Sequence, residues 1–157
     1  MKTALIRSLL GLGLLAGAGG CEKEETYPAL PRELYLASVV PAGATTFTNS
    51  AAGLETVRVA SARVYLNQLM PTDVQVTYAV AGTATGGSDY ELPTSTTLTI
   101  PAGERFGQIN LNVVDDRTKE STETILIRLE SATQDFQLGL GHPASYNVFT
   151  YSIRDND

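Results

Sequence analysis

The chain has 157 residues and a formal net charge of −6, with 17 acidic residues against 11 Lys and Arg. A chain of this length can bury the core of one domain. The acidic surplus argues against a nucleic-acid partner, which would need many Lys and Arg to neutralise its phosphates, and it is compatible with cation binding.

The first 20 residues have the pattern of a secretory signal peptide. Lys2 and Arg7 lie near the start, and the segment 9–18 is apolar or small. Because this segment is too short to span a bilayer, the pattern predicts a cleaved signal over residues 1–20 and no membrane-spanning anchor. Cleavage removes two basic and no acidic residues, which moves the net charge from −6 to −8.

Cys21 is the single cysteine of the chain and follows small residues at 18–20. This arrangement resembles the lipobox of bacterial lipoproteins, whose cysteine is lipidated and becomes the mature N-terminus, although Ala18 stands where leucine is usual. Residues 22–25 (EKEE) resemble a surface-export signal of some Gram-negative lipoproteins. We therefore expect a lipid anchor at Cys21 and a surface-exposed position on an outer membrane. The alternatives are a free thiol behind an ordinary signal and a merely charged tether.

Residues 21–33 hold charge and proline and little that could pack, so they predict a tether. From Leu34 to Asp157 the patterns are those of strands: Val74, Val76 and Tyr78, for example, alternate with polar or small neighbours. The predicted strands are 34–40, 57–66, 74–80, 96–100, 109–113, 124–129 and 146–153. Turn residues separate them, and no segment sustains helical apolar spacing. About seven short strands without helices predict an all-β fold, a two-sheet antiparallel β-sandwich.

Several motifs in order give this segment a family resemblance. Residues 76–90 (VTYAVAGTATGGSDY) resemble the central signature of Calx-β domains, and 97–104 (TLTIPAGE), 113–116 (VVDD) and 153–157 (IRDND) continue it. The resemblance covers about residues 54–157. It implies an immunoglobulin-like sandwich that, in calcium-binding members, holds the ions among the loops at one end.

Carried over position by position, the resemblance implies a set of acidic calcium ligands. The implied ligands are Glu55, Asp89, Asp115, Asp116, Glu120, Glu123, Asp155 and Asp157. Arg117 stands where strong binders of the family often have a third consecutive aspartate, and Ser121 and Thr122 stand where other members are more acidic. We therefore expect few ions and a weak affinity, with dissociation constants on the order of 10⁻⁴ to 10⁻³ M.

The residues support this reading without the family. Adjacent residues of a strand point to opposite faces, so Asp115 and Asp116 can share a site only where a strand ends. Clustered carboxylates repel one another and raise each other's pKa, and a divalent ion reverses that effect. The alternative is an acidic loop without metal, in which Arg117 neutralises Asp115 or Asp116.

Signatures of catalysis are missing from the sequence. His142 is the single histidine, so no zinc site of the usual kind can form, and neither a Gly-x-Ser-x-Gly elbow nor a phosphate loop occurs. We expect a non-enzymatic surface lipoprotein with one weakly calcium-binding module that serves structure, adhesion or interaction. The alternative is a calcium-independent accessory lipoprotein that docks on an outer-membrane complex.

Overall fold

The structure is a computed structural model that describes residues 29–39, 47–140 and 146–157. The signal peptide predicted over 1–20, Cys21 with the tether up to residue 28, and His142 lie outside the described residues. Within the described ranges, no helix is both long enough and apolar enough to cross a bilayer.

Nine strands and one short 3-10 helix make up the described fold. The strands are β1 (Glu33–Ser38), β2 (Ser50–Leu54), β3 (Val59–Leu66), β4 (Val74–Gly82), β5 (Thr97–Ile100), β6 (Phe106–Asn112), β7 (Glu123–Ala132), β8 (Gln137–Leu138) and β9 (Val148–Arg154). They form one sheet in the order β6-β3-β1-β8 and a second in the order β2-β9-β7-β4-β5. The predicted all-β sandwich is confirmed.

The seven predicted strands are all present, and β2 and β8 were not predicted. The β2 sequence SAAGL has no run of large apolar residues, and β8 has two residues, so neither produces a readable period. Both pair in parallel at a sheet edge, β2 with β9 and β8 with β1. The other five pairings are antiparallel. The expectation of a purely antiparallel sandwich therefore holds for the sheet centres and not for these two edges.

Alternate side chains of the central strands fill the space between the sheets. In β7, Ile125, Ile127 and Leu129 are buried, and Phe149 of the neighbouring β9 is completely buried. This alternation is what the period-2 pattern of the sequence requires of strands with one face in a core. Each large apolar side chain buried in this way contributes about 1.5–3 kcal/mol to folding, and the rigid core fixes the positions at which the strands end.

The described chain enters the sandwich at the end opposite to the start of β3. Leu34 of β1 lies across from Leu66, the last residue of β3, and the two strands run antiparallel. Asn67 holds the entering chain in place with two hydrogen bonds. Its side-chain amide donates to the carbonyl of Pro31 at 2.9 Å, and its Oδ1 accepts from the backbone N–H of Glu33 at 2.9 Å. At the other end of the sandwich β3 begins, β6 and β9 finish and β7 begins.

A 3-10 helix at Glu55–Val57 precedes β3, so the strand predicted from Val57 begins at Val59. Arg58 ends this turn in the left-handed region with φ 62, and its backbone N–H donates to the carbonyl of Glu55 at 2.8 Å. The tight turn directs Glu55 inward, and this residue is only 5% exposed. An alternating pattern read from sequence does not detect such a turn, because Val57 and Val59 have the same spacing that a strand requires.

Four aromatic side chains form an outer aromatic cluster on the four-stranded sheet. The cluster consists of Tyr35, Phe47, Tyr65 and Phe106. Tyr35 and Tyr65 stack at 5.5 Å, and the Arg63 guanidinium lies 4.3 Å from the centre of the Phe106 ring. Because Tyr65 lies at the end of β3, the cluster is near the end at which the chain enters.

Candidate metal centre

Strand ends bring most of the predicted acidic ligands together at one end of the sandwich. They come from the 3-10 helix before β3, the β4–β5 loop, the segment after β6, the start of β7 and the segment after β9. A small cavity of about 10 Å³ lies among them, which is about the space that one water molecule or small ion requires. The acidic residues lining it are Glu55, Asp89, Asp116, Glu120 and Glu123. The sequence prediction that these positions converge describes this arrangement well.

Asp89, Glu120 and Glu123 form an inner trio, each offering a carboxylate oxygen within 4.8 Å of the others. Burial, a hydrogen bond with Asp89 and the charges of Asp89, Glu120 and Glu55 raise the pKa of Glu123 to about 7. The Oε2 atom of Glu123 is buried and has no hydrogen-bond partner. Such an atom costs free energy unless a cation or a proton satisfies it. A bound cation or proton would therefore stabilise the inner trio.

Glu55, Asp155 and Asp157 form an outer trio whose oxygens also approach within 4.8 Å. Burial, followed by the negative charges of Asp155, Asp116 and Glu120, raises the pKa of Glu55, while a hydrogen bond from the backbone of Asp116 acts in the opposite direction. A buried carboxylate surrounded by other carboxylates is an expensive arrangement without a compensating cation.

Backbone hydrogen bonds hold several of these carboxylates in place. Asp155 accepts from the N–H of Asp157 at 2.8 Å and from the N–H of Glu120 at 2.9 Å, and these bonds lower its pKa. Asp116 accepts from the N–H of Thr118 at 2.6 Å. The segment after β6, the loop before β7 and the segment after β9 are therefore positioned together rather than independently.

Asp115 is the predicted ligand that the structure places elsewhere. Its Oδ2 lies 2.7 Å from Nη2 of Arg58, and it belongs neither to the two trios nor to the residues lining the cavity. The arginine paired with it is thus Arg58. Arg117, which the sequence offered as the neutralising residue, forms no salt bridge with any residue in the described part of the chain.

Sequence reasoning missed Arg58 because its role depends on register. Val59 pairs with Asn112 across β3 and β6, so Arg58 and Asp115 meet just beyond the paired ends. A cation three residues after Glu55 is visible in the sequence, but nothing local connects it to residue 115. The pairing follows from the alignment of two strands that are about 50 residues apart in the chain.

The donor set fits a hard divalent cation. Carboxylate oxygens are the ligands that calcium prefers, and it takes about 6 to 8 of them together with carbonyl groups and waters. The inner trio, Glu55 and Asp116 could supply carboxylate oxygens around one cavity, and the unpartnered Oε2 of Glu123 needs such a ligand. Among the described residues that line the cavity there is no histidine or cysteine, and the donors they offer are the oxygens that calcium prefers rather than those typical of zinc.

Several solved structures share this architecture. The calcium-binding domain CBD12 of CALX1.1 is 26% identical with a TM-score of 0.57, and the alignment covers 69% of this chain and 42% of that one. The apo form of the Calx CBD1 domain is 22% identical with a TM-score of 0.60, covering 82% of this chain and 100% of the other. The Calx CBD2 domain is 16% identical with a TM-score of 0.54, covering 69% and 83%. The last two show similarity of fold alone.

The match to CBD12 of CALX1.1 spans less than half of the length of that chain. No curated protein sequence matches this chain significantly. A family model described as the Calx-beta domain, however, matches residues 42–157, which include the strands and turns that supply the carboxylates. The sequence motifs, the two-sheet sandwich and this match agree, and the chain belongs to the Calx-β domain family.

Proposed function

We propose that this chain is a lipid-anchored surface protein whose Calx-β module binds calcium weakly and acts as a structural, adhesion or interaction domain. The observation that carries the calcium part is the buried, unpartnered Oε2 of Glu123 between Asp89 and Glu120. The 26% identity to a protein described as a calcium-binding domain supports it. A bound calcium ion would supply positive charge to the cluster.

The protein's own residues would provide both the ligands and the rigidity. The inner trio with Glu55 and Asp116 would hold the ion, while the backbone bonds of Asp155 fix the surrounding loops. Binding to the folded state alone stabilises that state by mass action. With a dissociation constant near 10⁻⁴ to 10⁻³ M, about 5 mM calcium adds about 1–2 kcal/mol. This end of the sandwich would therefore stiffen when calcium is present.

A catalytic role has no support in this geometry. Glycoside hydrolysis, for example, places two carboxyl groups about 5–9.5 Å apart with the sugar between them. Here one oxygen from each carboxylate of a trio lies within 4.8 Å of the others, an arrangement that suits one shared cation better than two groups acting on opposite sides of a sugar. We therefore propose a role in binding, without turnover.

The anchor is proposed from the sequence. Small residues at 18–20, Cys21 and the charged segment 22–25 support lipidation and display on the outer face of an outer membrane. The membrane is then the first partner of the protein. We identify no nucleic-acid partner, because the acidic surplus opposes phosphate binding.

Calorimetry on the mature chain, made soluble by Cys21→Ser, tests the calcium proposal. We expect a heat of binding at millimolar calcium that Asp116→Ala weakens and Glu104→Ala leaves unchanged. Asp116 lines the cavity, whereas Glu104 is an exposed residue between β5 and β6. The absence of both a binding heat and a rise in melting temperature at about 5 mM calcium would refute the proposal.

The outer aromatic cluster favours a second candidate function, calcium-independent docking on an outer-membrane protein complex. Phe47 and Phe106 are 38% and 37% exposed, and Arg63 lies over the Phe106 ring. Aromatic side chains, including phenylalanine, and arginine are enriched in protein interfaces. The cluster lies near the end at which the chain enters, far from the acidic residues, so docking there would not require calcium.

Crosslinking in intact cells distinguishes the two functions. For docking, we expect a protein crosslink that Phe106→Ala removes, that EDTA leaves unchanged and that Glu123→Gln leaves unchanged. A crosslink that is lost in EDTA would contradict calcium-independent docking and would favour the first function.

A further inference from the structure

The segment that carries the metal-site residue Glu55 also carries a fixed positive charge. Arg58 follows the 3-10 helix in the left-handed region, and its N–H donates to the carbonyl of Glu55. Its own carbonyl accepts from the N–H of Val113 at 3.0 Å. These two bonds place Arg58 between the turn that presents Glu55 and the segment that presents Asp115 and Asp116.

The Arg58 side chain engages one of these two aspartates. Nη2 of Arg58 lies 2.7 Å from Oδ2 of Asp115, and the Asp115 side chain is 18% exposed. Asp116, the next residue, instead lines the cavity and accepts a hydrogen bond from Thr118. Two adjacent carboxylates thus have different partners, and one of them is already neutralised by a charge within the protein.

We infer that Arg58 acts as a built-in cation that keeps Asp115 out of the calcium shell and limits the number and affinity of bound ions. This inference rests on the proposed calcium function. Two effects act in the same direction: the cluster loses one carboxylate, and a guanidinium beside it repels a divalent ion. Because the Arg58 side chain is 64% exposed, solvent screens both effects, so the expected change in affinity is modest.

Arg117 provides a matched comparison. It lies next to Asp116 in the chain, carries the same charge, is exposed, and forms no salt bridge with a described residue. If only the net charge of the protein mattered, replacing either arginine would change the calcium affinity by the same amount. Because only Arg58 contacts Asp115, we expect replacement of Arg58 to change the calcium affinity more than replacement of Arg117.

Calcium titration by calorimetry, on the mature chain with Cys21→Ser, tests the inference. We expect Arg58→Gln to tighten binding by about three- to tenfold or to add a second ion, as removal of one screened positive charge should. Arg58→Lys should retain the affinity of the parent chain, and Arg117→Gln should change it by less than about twofold. In 0.5 M salt, the difference between Arg58→Gln and the parent should shrink.

Asp115 gives an independent measurement. Asp115→Asn should weaken calcium binding by much less than Glu123→Gln does, since this carboxylate is already paired and only the released charge of Arg58, whose side chain is 64% exposed and screened, acts on the ion. In the Arg58→Gln background the same substitution should weaken binding, because the carboxylate is then free to bind the ion. Far-UV circular dichroism in EDTA verifies that each variant is folded.

The outcomes separate this inference from the proposed function. If the parent binds calcium but Arg58→Gln does not tighten it, or if Asp115→Asn weakens the parent as much as Glu123→Gln does, the inference is wrong and the proposed function remains. If the parent takes no calcium and Arg58→Gln does, the proposed function is wrong and the inference remains. If neither chain binds calcium, both are wrong.

Discussion

Without calcium, the stability of this domain should decrease as the pH rises from about 4.5 to about 7. Glu123 is responsible, because burial and the neighbouring carboxylates Asp89, Glu120 and Glu55 raise its pKa to about 7 in the folded chain, from an ordinary value of 4.5. A carboxyl group with a higher pKa in the folded state binds its proton more tightly there. The folded state therefore loses its advantage as the pH rises through this window.

The size of this change in stability follows from the ordinary and the raised pKa of Glu123, 4.5 and about 7. Each pH unit between them costs up to about 1.4 kcal/mol, so the whole window is worth at most about 3 kcal/mol, and solvent screening reduces this value because Glu123 is only half-buried. The raised pKa values of Glu55 and Glu120 act in the same direction. Asp155 has a lowered pKa, so its contribution is lost on acidification, below an ordinary value of 3.8 and outside this window.

Urea denaturation of the mature Cys21→Ser chain, followed by circular dichroism between pH 5 and 8, measures the effect. In EDTA the free energy of unfolding should fall as the pH rises. In about 5 mM calcium the free energy of unfolding at pH 7 should be higher than in EDTA by about 1–2 kcal/mol, because the cation replaces the proton as the partner of Glu123. Stability in EDTA that is flat or rises between pH 5 and 7 would contradict the reasoning.

Glu123→Gln should remove most of this pH dependence. The amide is neutral at every pH and can still donate to Asp89, so this variant should be more stable than the parent at pH 7 in EDTA, by up to about 3 kcal/mol. It should also lose the stabilisation by calcium. Glu104→Gln, an exposed substitution outside the cluster, should keep the parent profile in both conditions.

Three further predictions concern the anchor and the sandwich. Cys21→Ser should move the protein from the membrane to the soluble fraction, and retention at the membrane would contradict the lipid anchor. Phe149→Ala should reduce the free energy of unfolding by about 3–5 kcal/mol in urea, because this side chain is completely buried; a loss below about 1 kcal/mol would show that the core repacks. Gly82→Ala should cost about 1–3 kcal/mol, since Gly82 has φ 131 and a Cβ there would meet the carbonyl of Thr124. Gly103→Ala, at φ 80 with nothing within 4 Å of its Cβ, should cost less, and equal losses would refute the role of the contact.

Much of the fold could be read from local pattern. The strands around Val76, Ile109 and Ile127 each bury one face, and alternation along a strand is a local property of the sequence. β2 and β8 were not predicted, because each forms by pairing in parallel with a neighbouring strand and has no pattern of its own. β2 pairs with β9, and β8 pairs with β1. Edge strands of this kind are specified by the neighbouring strand that they pair with.

The sequence could predict which acidic residues come together at the candidate site. It could not predict which of them forms a salt bridge with an arginine. Family motifs identified residues such as Asp89 and Glu123, which the structure brings within a few ångströms of each other. The division between a carboxylate that lines the cavity and one that meets an arginine depends on the register of β3 against β6. Arg58 and Asp115 are therefore contacts that the fold creates, and no local motif contains both.

The position at which the described chain enters the sandwich has a consequence for the proposed lipid anchor at Cys21. Asn67 fastens Pro31 and Glu33 at one end, and the carboxylates lie beyond the other end of β3, whose eight residues span about 26 Å. With a lipid at Cys21, we expect the acidic end to lie at least that far from the point where the tether joins the sandwich. That distance exceeds the screening length of about 8–10 Å at physiological salt, over which a charged membrane concentrates cations. The carboxylates would then respond to the calcium concentration of the surrounding medium and not to the ion layer at the membrane.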